Sequence, residues 1–219
     1  MARVFVPEPR QVIEAKASIY GEIVPLVPVE AKLGLEPDRI KAIMSKALTT
    51  FDDDDYLLLD GTNVHCAVAI SIICIERNSV NLLIWDNRSG NYLNRLLTLD
   101  DIPQVIFTGS EKKIFVTNDV HDPPKLDLPM ISLTTGNDLN IMEPDKIKEN
   151  MIKILSNSQA EDFLLLSGSK THNSVAAAIL SKMHGKINFM VWNATTKQYV
   201  LRSCRFNIED LQRQLSTGL

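Results

Sequence analysis

The sequence predicts an α/β protein: two tandem Rossmann-like units, each ordered β-β-α-β-α-β-β with a mixed sheet, related by internal duplication. Three observations predict it. Residues 36–95 align with residues 143–202 at a constant offset of 107 without a gap, and 21 of the 60 aligned pairs are identical. Each copy carries a continuous apolar run of strand length, followed by a Gly turn and an Ala-rich apolar segment of helical length. Each then closes with two short strand-like runs around turn residues. A repeat of this length means two copies of one fold, expected as domains over residues 1–105 and 106–219. What both copies keep reads as architecture, and what one copy alone carries can be something else.

The first copy opens with Arg3-Val4-Phe5-Val6, a short strand stopped by Pro7 and Pro9 and matched by Lys113-Ile114-Phe115-Val116. Glu22–Val27 is a second strand, matched by Pro129–Leu133, and Pro25 argues that it is at an edge or short. The segments between these two strands differ between copies and read as loops. Pro37 starts a helix at a position where a missing N–H costs nothing, with Glu36 and Asp38 near the positive end of its dipole. Ile40, Ile43, Met44, Ala47 and Leu48 recur at helical spacing, as do Ile147, Met151, Ile154 and Leu155.

Tyr56–Leu59 is the apolar run, suited to a central strand covered on both faces. Gly61 ends it, and a helix rich in small and branched apolar residues is expected over Asn63–Glu76. Asn81–Trp85 is the next strand. Asn87–Asn91 supplies turn chemistry, and Tyr92-Leu93 returns as a hairpin. The second copy repeats this in Phe189–Trp192, Ala194–Lys197 and Tyr199–Leu201. Strand–helix–strand succession implies right-handed parallel crossovers, with the hairpin as an antiparallel edge. Leu99–Glu111 links the copies, and Ile208–Leu215 reads as a short terminal helix.

The net charge of −4 and the lack of a Lys/Arg cluster longer than a pair disfavour nucleic acid as a partner. Cys66, Cys74 and Cys204 form no C-x-x-C and read as free thiols of a reducing compartment. The opening MARVFVPEPR turns polar and Pro-rich too early for a secretion signal. The longest apolar run, Val64–Ile75, is too short to span a bilayer. A soluble intracellular protein, or one packed in an assembly made inside a cell, is expected, neither secreted nor membrane-bound.

The best candidate site is the turn after each central strand. Ligands of open α/β sheets gather at the carboxyl ends of strands, and a helix beginning there points backbone N–H groups at an anion. Gly61, Thr62 and His65 in the first copy, and Gly168, Ser169, Lys170 and His172 in the second, are the ligand-binding candidates. Gly168-Ser169-Lys170-Thr171 looks like the end of a phosphate loop but fails G-x-x-x-x-G-K-S/T, because Phe163 stands where the first Gly should and Ser169 intervenes before the Lys. The first copy has Asn63 in place of Lys170. A Gly turn with a Ser/Thr helix cap accounts for the same residues.

His65 and His172 sit in the first helical turn, where an imidazole tends to stay neutral, but no repeated acid near them completes a dyad. Asp55 and Asp162 belong at the far, amino end of the strand. His121 and His184 have no duplicate, and no H-x-x-H exists, so neither a metal nor a cofactor is implied. The acidic run Asp52–Asp55 reads as a solvated loop. Trp85/Tyr92 and Trp192/Tyr199 face each other across the hairpins, either as cross-strand stabilisers or as contact hot spots. No G-x-S-x-G, no G-x-G-x-x-G and no Cys/His pairing occurs, so no catalytic residue is nominated and the reading leans away from an enzyme.

Leu57-Leu58-Leu59 with Gly61, the Ala-rich helix, and Val80–Asp86 followed by Tyr92 resemble a group of small α/β proteins encoded by tailed bacteriophages. The second copy departs at Asn193, which replaces the Asp after Trp. The resemblance implies a phage origin and no assigned activity. The leading expectation is therefore a non-catalytic phage protein, a virion-structural or assembly adaptor block working through contacts with virion proteins or with itself. The alternative is a small nucleotide- or anion-binding protein or enzyme using the two Gly turns. A third reading, inhibition of a host defence protein, leaves no signature in the chain.

Overall fold

The computed structural model describes residues 1–8, 15–28, 36–103, 111–117, 124, 126–134 and 140–206. The first half contains β1 (Arg3–Val6), β2 (Glu22–Pro25), α1 (Pro37–Leu48), β3 (Tyr56–Leu58), α2 (Asn63–Glu76), β4 (Ser79–Asp86) and β5 (Asn91–Thr98). The second half contains β6 (Ile114–Val116), β7 (Met130–Ser132), α3 (Pro144–Leu155), β8 (Phe163–Leu165), α4 (Lys170–His184), β9 (Lys186–Asn193) and β10 (Gln198–Arg205). The expected order holds in both. A 3-10 turn, Ser18–Tyr20, adds structure inside the first β-β connection. Of the linking segment, only residues 99–103 and Glu111 are described, and the helix expected over Ile208–Leu215 lies outside the described residues, as does Pro9.

Each half forms its own five-stranded sheet, in the orders β2-β1-β3-β4-β5 and β10-β9-β8-β6-β7. The Leu-rich strands β3 and β8 are central, paired in parallel on both sides, with Leu57 opposite Leu82 and Leu164 opposite Phe189. The β4–β5 and β9–β10 hairpins are antiparallel, and β2 with Pro25 is an edge.

The helices follow from local chemistry. Pro37 and Pro144 stand in the first turns of α1 and α3, beside Asp38 and Asp145, while Lys46 and Lys153 stand in the last turns. Charge thus complements the dipole at both ends. Ile40, Met44 and Leu48, like Ile147, Met151 and Leu155, stack at four-residue spacing on the buried face. By contrast, α2 is buried all round from Val64 to Cys74, and α4 from Thr171 to Ser181. Such helices must be enclosed on every side.

The two all-buried helices enclose each other. Lys170 at the start of α4 reaches Asp60, just before α2, at 2.9 Å. In the middle, Ser71 Oγ, which donates to the Ala67 carbonyl of its own helix at 2.7 Å, lies 3.4 Å from the carbonyl of Ala177. Near the end, Lys182 Nζ donates to the carbonyls of Cys74 and Arg77, both at 3.2 Å, and to Asn78 Oδ1 at 2.6 Å. The helices therefore run side by side in the same direction, and both start at one end of the molecule. A single hydrophobic cluster takes in residues of all four helices and the inner faces of both sheets. Smaller clusters lie on the outer faces, around Leu58, Leu83 and Tyr92 in one half and Leu165 and Met190 in the other.

The first helix of each half leans on the hairpin of the other. Buried Lys41 donates to the Arg205 carbonyl at 2.7 Å, and buried Lys148 meets Asp101 at 2.8 Å. Thr98 donates through its amide and its hydroxyl to Asp145 Oδ1, each at 2.9 Å. Lys41 and Lys148 are equivalent at the 107-residue offset, as are Arg205 and Thr98, whose hydroxyl Lys148 also reaches at 3.4 Å, so the two lysines sit alike although their nearest acceptors differ.

Two details depart from the sequence reading or extend it. The acidic run is solvated at Asp52, Asp53 and Asp54, but Asp55 is buried, because its carboxylate is consumed in fastening the start of β1. In the second hairpin, Lys197 has φ of 52°, where the equivalent Gly90 has 64°. A left-handed residue with a Cβ is strained by about 1 kcal/mol. Lys197→Gly is thus expected to raise stability by roughly 0.5–1 kcal/mol in chemical denaturation, relief of strain outweighing the added freedom of the unfolded chain. A lower midpoint would contradict this.

The three cysteines are buried and outside any disulfide. Burial pushes the thiols of Cys74 and Cys204 well above the ordinary range. Among the described residues, no helix is long and apolar enough to cross a membrane.

Candidate functional site

Because α2 and α4 start side by side, the carboxyl ends of β3 and β8 and their Gly turns lie at one end of the molecule. In the first copy Thr62 caps α2, its hydroxyl accepting from the His65 amide at 3.4 Å. In the second, Ser169 caps α4 and accepts from the His172 amide at 3.4 Å. Behind each turn, one side chain secures the carbonyl that ends the strand: Cys66 Sγ donates to the Asp60 carbonyl at 3.5 Å, and Asn173 Nδ2 to the Ser167 carbonyl at 2.7 Å. Thr117 Oγ1 also donates to the Ser167 carbonyl, at 3.0 Å. Gly61 has φ of +117°, which only glycine adopts readily, and a Cβ there would lie 2.8 Å from Glu8 Cβ.

The centre of the site is Asp60. Its Oδ1 accepts from Lys170 at 2.9 Å and from the Gly61 amide at 2.7 Å, while Oδ2 accepts from the Tyr92 hydroxyl at 3.1 Å. Tyr92 in turn accepts, through its carbonyl, a hydrogen bond from the Tyr20 hydroxyl. Glu8 Oε2 accepts from the Thr62 amide at 2.9 Å. Burial pushes the Asp60 carboxyl up, but the hydrogen bonds from Lys170, Gly61 and Tyr92, with the Lys170 charge, outweigh it and hold the group below its ordinary value. Burial, then the charge and hydrogen bond of Asp60, push the Tyr92 phenol far above its ordinary value.

The candidates separate by depth. Thr62 and Gly168 are exposed, Ser169 and Lys170 are half-buried, and Gly61, His65 and His172 are buried. His65 Nδ1 lies 2.5 Å from Thr62 Oγ1. Burial, opposed by the Glu8 charge, lowers the His65 pKa, so its ring is neutral at pH 7. The His65 imidazole thus supports the start of α2.

Trp85 and Tyr92 meet edge to face at 5.1 Å between ring centroids, as do Trp192 and Tyr199. The first pair is covered: Tyr92 is buried, and Lys16 lies 4.6 Å over the Trp85 ring. Trp192 is exposed. Ser158 Oγ and His184 Nε2 stand 2.8 Å apart at the opposite end of the molecule. That serine is fully enclosed, and the equivalent positions hold Phe51 and Arg77, so the pair is packing. Among the described residues, no group of three or more His, Cys, Asp or Glu side chains could hold a metal ion. His121 lies outside the described residues.

Sequence reasoning named both Gly turns, both histidines and Lys170. It did not bring Asp60, Glu8 and Tyr92 into one site. A signal existed: Asp60 faces Ser167 in the repeat alignment and Asn63 faces Lys170, two unrepeated charges of opposite sign only three positions apart.

Two Rossmann-like units fused so that their strand ends share one face make a fold that solved structures share. The chain is similar to the Acinetobacter baumannii Cap4 SAVED/CARF-domain containing receptor with the cyclic trinucleotide 2'3'3'-cAAA, at 13% identity and a TM-score of 0.53, covering 92% of this chain and 50% of that one. It is similar to the same receptor with 3'3'3'-cAAA at 12% identity and a TM-score of 0.55, covering 92% and 51%. The chain spans about half the length of these structures, and the likeness is one of fold. No curated protein sequence matches it. The profile of the phage Pam3 gp32-like protein family matches residues 5–99 and 129–206, one segment in each copy. The chain belongs to that family, a phage protein family, as its resemblance to small phage α/β proteins led one to expect.

Proposed function

We propose that this phage protein binds a cyclic oligonucleotide, or a related phosphate-bearing nucleotide, across the joined starts of α2 and α4, and holds it without cleaving it. The observation that carries this reading is the pair of helix N-termini lying side by side, with the Lys170 ammonium between the two copies. Parallel helix dipoles add their positive ends at one face, where backbone N–H groups also point outward. The fold likeness to receptors solved with cyclic trinucleotides supports the ligand class. The depth of His65 and His172 beneath the surface favours holding over hydrolysis. This reading places the protein in the host cytoplasm, where such a ligand would be met.

Isothermal titration of the full chain with 3'3'3'-cAAA tests it. Binding in the micromolar range or tighter, about −8 kcal/mol, is expected, together with a ligand-dependent rise in melting temperature. Lys170→Ala is expected to weaken binding roughly tenfold to a hundredfold, the worth of one charge-assisted phosphate contact. No heat and no thermal shift at about 1 mM ligand would overturn the reading.

A second reading, a virion-structural or assembly block acting through protein contacts, draws on the exposed Trp192 and Leu201 of the β9–β10 hairpin, whose outer strand is a sheet edge. Sedimentation with purified particles would favour it over the first.

A further inference from the structure

The two turns are unequal. In the first copy, two backbone amides that a phosphate would use are already satisfied by carboxylates of the chain: Gly61 N–H by Asp60 Oδ1 at 2.7 Å, and Thr62 N–H by Glu8 Oε2 at 2.9 Å. Neither acid is repeated. Ser167 stands in place of Asp60, and aligning Phe5 with Phe115 places Asn118 against Glu8. The base is not repeated either, since Asn63 stands in place of Lys170. Asp60 also neutralises Lys170 directly, at 2.9 Å, with Tyr92 bracing the carboxylate from the other side at 3.1 Å.

We propose that Glu8 and Asp60 occupy the anion seat of the first copy from within, so that a ligand phosphate seats on the Gly168–Lys170 turn and must take Lys170 from Asp60. This rests on the nucleotide-binding reading and specifies its regulation. The carboxylates act as a threshold. A weakly charged or single-phosphate ligand gains too little to displace Asp60, while a ligand carrying several phosphates gains Lys170 and both dipoles together. Removing either acid lowers the threshold, because the joined helix starts lose a negative charge that repels the ligand phosphate: Asp60 directly beside Lys170, and Glu8 on the neighbouring turn.

Wild type, Glu8→Gln and Asp60→Asn chains are titrated with 3'3'3'-cAAA at low salt, and each is checked for an intact cooperative melt. Both replacements keep the shape of the side chain and an acceptor oxygen, so the amides of Thr62 and Gly61 keep a partner. Each variant is expected to bind roughly three- to tenfold more tightly than wild type, with the gain shrinking as salt rises. Without ligand, the acetylation rate of Lys170, read by mass spectrometry, is expected to rise in Asp60→Asn. Folded variants that bind no better than a binding wild type would overturn this inference and leave the nucleotide reading standing. An unchanged acetylation rate would also count against it. If neither wild type nor variants bind, the nucleotide reading fails and this inference falls with it.

Discussion

Ala177→Leu is expected to destabilise the whole chain by about 3 kcal/mol, because it overpacks the seam between the halves. Ala177 is fully buried in α4, and its carbonyl lies 3.4 Å from Ser71 Oγ of α2, so the two helices approach closely there. A leucine has no room unless the helices part, and parting them opens the cluster that unites all four helices and both sheets. The loss should appear as a lower midpoint in one cooperative denaturation transition, both sheets melting together. Two separate transitions, or an unchanged midpoint, would mean that the halves hold themselves independently.

The second large effect lies at the other end of the sheet. Asp55 accepts from the Arg3 amide and from the Asp52 amide, each at 2.8 Å, and from Arg3 Nη2 at 2.5 Å. It ties the first strand, the loop after α1 and the start of β3 together. Asp55→Ala leaves the Arg3 and Asp52 amides and the Arg3 guanidinium without that acceptor and is expected to cost about 2–4 kcal/mol. The same group sets the acid limb of stability. Burial pushes its carboxyl up, but hydrogen bonds from Arg3 and Asp52 and the Arg3 charge prevail, so its folded pKa lies below the ordinary value. A carboxyl held low stabilises the fold above about pH 4, the unfolded value, and that contribution is lost as pH falls through the folded value. Urea midpoints between about pH 2 and pH 6 should therefore fall less steeply with acid in Asp55→Asn than in wild type. Parallel slopes would show that Asp55 is not the group responsible. Asp162 repeats the fastening, accepting from the Lys113 and Gln159 amides at 2.9 Å each.

Most of the fold was legible because periodicity and turn chemistry act locally. The Leu-rich central strands, Pro25 at an edge, the Pro-led helices and the aromatic hairpins all follow from neighbouring residues. The all-round apolar character of Val64–Cys74 and its repeat was visible too. What encloses these helices was not, since the sequence does not say that each is the other's cover. The site was half legible for the same reason. Filtering for what both copies keep led to Gly61/Gly168 and His65/His172, which shape the turns. The charges that decide chemistry lie in what the copies do not share: Glu8, Asp60 and Lys170. Their meeting depends on two helices starting together, a tertiary fact that no local pattern carries. The hydroxyl of Tyr92 is a like case, since the hairpin pairing was readable and its reach to Asp60 was not.

The exchanged embrace, in which α1 rests on β10 and α3 on β5, has an evolutionary corollary. In a homodimer of one such unit every mutation is written into both subunits at once, so an acid on one side and a base on the other cannot arise alone. Two units in one polypeptide are free of that constraint. Each half can drift while its sibling keeps the pair assembled, and a symmetric cradle can turn into a lopsided one.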